Sequence, residues 1–168
     1  KWSSSKCPSP AKCKIVDKQA KCIAGPDLQP TYLNVPKTIK AGKSVSSTVI
    51  VKNFGGTPSG NFKDAFYFGK YASIWPPKKK LASYNRVSLK ANQQKTYFFN
   101  KFTIPADTKP GYYYLHYVVD DGKNVKETDE KDNYKTVKIK VTLGDSQRPD
   151  LVAKSMKPSK STWIVGQK

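Results

Sequence analysis

The sequence is poor in the residues on which most catalysis depends. Among 168 residues it has one histidine, His116, one methionine, and no cysteine after Cys22. With a single imidazole, no G-x-S-x-G turn and no glycine loop to cradle phosphate, it offers neither a nucleophile–base pair nor a nucleotide site. Catalysis is therefore not expected. No apolar run approaches the ~18 residues of a membrane span, and no stretch sustains the 3.6-residue apolar period of an amphipathic helix. Acidic residues are also scarce, 12 against 31 Lys+Arg, for a net charge of +19. Such a field exceeds what solubility requires and attracts polyanions: acidic polysaccharide, an anionic surface or a matrix component. Nucleic acid is the rival partner that charge alone permits.

The three cysteines, Cys7, Cys13 and Cys22, all fall in the first 22 residues. Clustering of this kind reads as a local disulfide staple, and so as a secreted, extracellular chain. A zinc site is disfavoured, because three thiolates lack a fourth ligand and His116 is far along the chain. The odd count calls for a partner upstream of Lys1, a partner in another chain, or a free thiol; an upstream partner is expected, with Lys1 a cut end. Residues 1–25, with the turn-like VDKQAK between the last two cysteines, read as a small disulfide-held hairpin. Their Cys-x5-Cys-x8-Cys spacing resembles the tail of a follistatin- or EGF-like module.

After Gly25-Pro26 the texture turns to β. SVSSTVIVKN (44–53) alternates, with Val45, Ser47, Val49 and Val51 on one face. Further strands are expected at 28–35, 61–69, 81–89, 94–104, 112–120 and 134–143, while the two prolines of IWPPKKK (74–80) exclude a central strand there. About seven alternating strands with turn signals between them predict an all-β, antiparallel sandwich over 26–143. On alternation, Tyr113, Leu115 and Tyr117 face the core, with Tyr113 placed as a corner tyrosine. Pro26-Asp27-Leu28 recurs as Pro149-Asp150-Leu151, and Gly42-Lys43 is echoed by Gly166-Gln-Lys168. Residues 144–148 then read as a linker, and 149–168 as the first strand of a second copy in a tandem array.

Four features carry a family resemblance: the PDL entry at 26–28, AGKSVSSTVIVKNFGGTPSG at 41–60, the PGYYYLHYVVD run from Pro110 to Asp120, and NVKETDEKDNYKTVKI at 124–139. Over 26–143 the chain resembles the CARDB family, cell-adhesion-related immunoglobulin-like domains often found in tandem on extracellular proteins. The resemblance implies a sandwich with a binding or scaffolding role and neighbouring copies of the same repeat as partners. The chain departs from the family in its lysine content and in Asp132-Asn133, where the family usually has two asparagines.

Three constellations could carry binding. The densest basic run, Trp75-Pro-Pro-Lys78-Lys79-Lys80, sits on a proline-stiffened loop and with Lys138 and Lys140 is the candidate polyanion surface; otherwise it is a solvated loop. Tyr112, Tyr114 and His116 alternate outward as an exposed aromatic strip, or are simply good strand formers. Half the acidic residues crowd between Asp120 and Asp132. There Asp120, Asp121, Glu127, Glu130 and Asp132 could offer oxygens to calcium, making a calcium-dependent adhesion module the alternative function. Their spacing lacks EF-hand alternation, so the plainer expectation is a turn whose carboxylates accept loop amides. No other cofactor is implied.

Overall fold

A computed structural model describes residues 12–16, 19–23, 25–73 and 79–144. Cys7, Trp75 and Lys78 lie outside the described residues, as do the second-copy strand at 149–168 and all of the linker except Gly144.

Near the start, β1 (Lys12–Val16) and β2 (Gln19–Ile23) form an antiparallel hairpin that sets Cys13 opposite Cys22. The remaining strands are β3 (Leu28–Asn34), β4 (Thr38–Lys40), β5 (Ser44–Asn53), β6 (Phe62–Gly69), β7 (Lys79–Arg86), β8 (Gln94–Thr103), β9 (Gly111–Val118) and β10 (Tyr134–Thr142). They make a five-stranded sheet, ordered β4-β10-β9-β6-β7, and a three-stranded sheet, β3-β5-β8. The expected sandwich is present. It adds one short strand to expectation, β4, which pairs parallel with β10. Lys79 and Lys80, expected on a loop, instead open β7, an edge strand of the five-stranded sheet.

Period-2 alternation makes the core. Along β5, Val45, Ser47, Val49 and Val51 are buried and their neighbours are not. From the facing sheet, Phe66 stacks on Phe102 at 4.4 Å between ring centroids and meets Phe99 edge-on at 5.0 Å, geometries favoured by the ring quadrupole. Leu115, Tyr117, Ile139 and Val141 are buried, while Tyr113 and Val137 are half-buried against the same cluster. The Tyr113 hydroxyl donates to the Lys109 carbonyl at 2.9 Å, the hydrogen bond of a tyrosine corner.

One asparagine closes the end where β3 and β5 meet. Fully buried Asn53 accepts from the Asp27 and Gly55 amides and donates to the carbonyls of Thr57, Leu89 and Lys90. At Gly55 a Cβ would lie 2.3 Å from the Gly25 carbonyl oxygen, so the backbone crossing needs glycine.

Candidate ligand-binding face and the family

The outward face of the five-stranded sheet gathers lysines and tyrosines from separate stretches of sequence. Antiparallel register sets Lys138 opposite Tyr114 and Lys140 opposite Tyr112. The Lys138 ammonium stands 4.5 Å from the Tyr112 ring centroid, within cation–π range. Lys138, Lys140 and Tyr112 are exposed, and Tyr114 is half-buried. Two β7 lysines, Lys79 and Lys80, are exposed on the same sheet. Lys80 is already engaged: its Nζ lies 2.6 Å from Asp121 Oδ2 and 5.2 Å from the Tyr67 centroid. The Asp121 hydrogen bond raises the Lys80 pKa, and burial together with Asp121 raises that of Tyr67.

His116 corrects the expectation of an outward strip. It has no exposed surface, and its Nδ1 lies 2.8 Å from Thr136 Oγ1. β9 is the middle strand of its sheet, and register flanks His116 with Tyr67 on β6 and Thr136 on β10. Alternation gave the face correctly; it could not give the cover supplied by the neighbouring strands. The strip thus reduces to Tyr112 and Tyr114.

The acidic residues each accept from nearby backbone amides or side-chain donors. Asp120, at φ 47°, accepts from the Asn124 and Val125 amides. Asp121 accepts from the Tyr67 hydroxyl and Lys80. Glu127 accepts from the Leu28 amide, which opens β3, and from Asn133 Nδ2. Burial lifts the Glu127 carboxyl from 4.5 to about 8, outweighing the lowering by those two donors. Glu130 accepts from the Glu127 amide, and Asp132 from Gln29 Nε2, which also reaches Asp27. Among the described residues, no three of His, Cys, Asp and Glu are grouped to hold a metal ion. The corner therefore joins the entry of β3 to the loop before β10. Sequence reasoning missed Asp27, Gln29 and Asn133 as members, since they come together only when strand ends meet.

Comparison with known proteins agrees with this architecture. The chain is similar to the CARDB domain of a Pyrococcus furiosus protein, solved in complex with di-metal ions: 26% identity, TM-score 0.55, covering 71% of this chain and 91% of that one. It also shares the fold of a domain of a putative cell surface protein from Methanosarcina acetivorans, at 21% identity and TM-score 0.50, covering 70% and 92%. No curated protein matches the chain. The CARDB family model matches residues 25–137, a span that takes in the PDL entry, the Asn53 junction, the tyrosine corner and the Glu127–Asn133 corner. By that match and by its fold, the chain belongs to the CARDB family.

Proposed function

We propose that this surface- or adhesion-related CARDB domain is a binding module, not a catalyst, and holds polyanions on the outer face of its five-stranded sheet. The observation that carries the reading is the pairing of Lys138 with Tyr114 and Lys140 with Tyr112 on one exposed surface. Lysine heads meet sulfate or carboxylate groups, while tyrosine rings supply flat area that loses little entropy on binding. An acidic polysaccharide of a matrix or cell surface suits both elements. An extracellular setting is supported by the facing Cys13 and Cys22 of the hairpin and by the recurring PDL tripeptide, which suits a tandem array. Among the described residues no helix is long and apolar enough to cross a membrane.

Calcium-dependent adhesion is the second reading, favoured by the di-metal complex of the Pyrococcus domain. The residues of this chain do not fit it well, because both oxygens of Asp120, Asp121 and Glu127 already accept hydrogen bonds. Retention on immobilised heparin across a NaCl series tests the first reading. Affinity is expected to fall steeply with salt, and Lys138→Gln with Lys140→Gln to lower the slope by about one per contacting lysine. Heparin affinity indifferent to salt would reject it. Stability or retention that rises sharply with millimolar calcium would favour the second reading instead.

A further inference from the structure

The three-stranded sheet presents an outer face unlike the rest of the molecule. Alternation along β5 sends Val49 and Val51 to the core and Ser46, Thr48 and Ile50 outward. Register places Thr48 between Asn34 of β3 and Phe98 of β8, and Ile50 between Tyr32 and Thr96. Phe98 is 76% exposed and Tyr32 46%, so two aromatic side chains stand diagonally on either side of β5. Beside Phe98 lies a shallow concavity of about 330 Å³, lined among others by Asn34, Pro36, Ser46 and Thr48. Among the described residues, none that lines it is ionisable, in a chain of net charge +19.

We infer that this face binds an uncharged oligosaccharide, at a site independent of the lysine–tyrosine face. A pyranose ring has an apolar C–H side and a belt of hydroxyls. The Phe98 ring offers a flat apolar platform on a strand, with only two torsions to fix. Asn34, Ser46 and Thr48 together provide amide and hydroxyl groups that both donate and accept, as sugar hydroxyls require. The volume falls at the lower end of small-ligand sites, about 300–1,000 Å³. Among the described residues that line the concavity, an acidic glycan would find no cation. The outward lysine of β5, Lys52, lies beyond Ile50 with its Nζ 4.3 Å from the Phe54 ring centroid. A second copy of the chain would need about 800 Å² of well-packed surface from each partner, whereas this face interleaves its few apolar side chains with hydroxyls.

Pull-down of the full chain on cellulose, cross-linked dextran and immobilised mannan tests the inference. It is run in about 1 M NaCl, where the screening length is ~3 Å and the lysine face is silenced. Retention on at least one support is expected, with Phe98→Ala weakening it about tenfold or more and Lys138→Gln/Lys140→Gln leaving it unchanged. Phe98 is so exposed that its replacement should preserve the melting temperature, which is measured alongside. Failure to bind all three supports, or retention that Phe98→Ala leaves within about twofold, overturns the inference. Sedimentation showing self-association that Phe98→Ala abolishes would also overturn it, assigning the face to a second copy.

Discussion

Asp64 lies in the core without exposed surface, where an ionised carboxylate costs several kcal/mol unless it is paired and hydrogen-bonded. Its Oδ2 accepts from Arg86 Nε at 2.5 Å and from the Tyr117 hydroxyl. The Arg86 guanidinium lies 4.1 Å from the Tyr97 centroid and 4.7 Å from that of Phe99. Burial still lifts the Asp64 carboxyl to about 6, against the lowering by Tyr117 and Arg86. Removing one partner strands the other, so Arg86→Met should cost about 3–5 kcal/mol in urea unfolding. Adding Asp64→Asn should cost much less than the sum of the two single changes; additivity within about 0.5 kcal/mol would deny the coupling. Asp64 was readable in principle but was not singled out: in NFKDAFYFG it alternates with Phe62, Phe66 and Phe68 on one face. Its partner was not readable, because Arg86 arrives through the register of β6 against β7. Glu127 gives the pH dependence. Its folded pKa is raised from 4.5 to about 8, so the folded state binds more protons between those values and stability falls as pH rises through them. The Asp64 shift adds a fall in the same direction between 3.8 and about 6. Melting temperature should therefore decline from pH 4.5 to 8, and Glu127→Gln should flatten the upper part of that decline. An unchanged profile in the variant would reject Glu127 as its source.

At the scale of elements, strand ends hold more of the specific chemistry than strand middles. Asn53 ends β5 and ties the Asp27, Gly55, Thr57, Leu89 and Lys90 backbones together. This explains physically the Val51-Lys52-Asn53-Phe54-Gly55 run within the 41–60 stretch that helped carry the family resemblance. Asn53→Ala would leave several buried backbone groups unpaired, at about 1–3 kcal/mol for each group that water cannot reach. Asn53→Ala should therefore lower the melting temperature far more than Asn85→Ala, at an exposed β7 position; equal shifts would show that the junction is not a stability determinant. Gly55→Ala should be comparably damaging, since its Cβ meets backbone rather than a movable side chain. The long strands and the tyrosine corner were readable because alternation over eight to ten residues is strong and the corner follows a Pro-Gly signal. β4 was not readable: Thr38–Lys40 is three residues long and owes its existence to parallel pairing with β10. The polar faces were legible only as lists, and register decided which list members became neighbours.

Over the whole molecule, the lysine–tyrosine face and the uncharged concavity lie on different sheets, although β5 and β8 also carry lysines, including Lys52 and Lys95. Lys79, Lys80, Lys138 and Lys140 belong to the five-stranded sheet, and the uncharged concavity by Phe98 belongs to the other, with the aromatic core between them. A polyanion held by the first sheet touches only strands already in register, so it should bind the folded chain better than the unfolded one. Unfolding scatters the lysines and loses the Tyr112–Lys138 stacking, though it keeps the net charge and thus some affinity. By mass action, a ligand at a hundred times its Kd stabilises by at most about 2.7 kcal/mol, less whatever the unfolded chain binds. Heparin should accordingly raise the melting temperature at low ionic strength, and the rise should shrink as NaCl shortens the screening length. Lys138→Gln with Lys140→Gln should reduce the rise, while Phe98→Ala should leave it intact, because that ring stands on the opposite sheet. A melting temperature lowered by heparin would mean that the unfolded chain is the better polyanion binder. In that case +19 would act as diffuse charge and not as a built face.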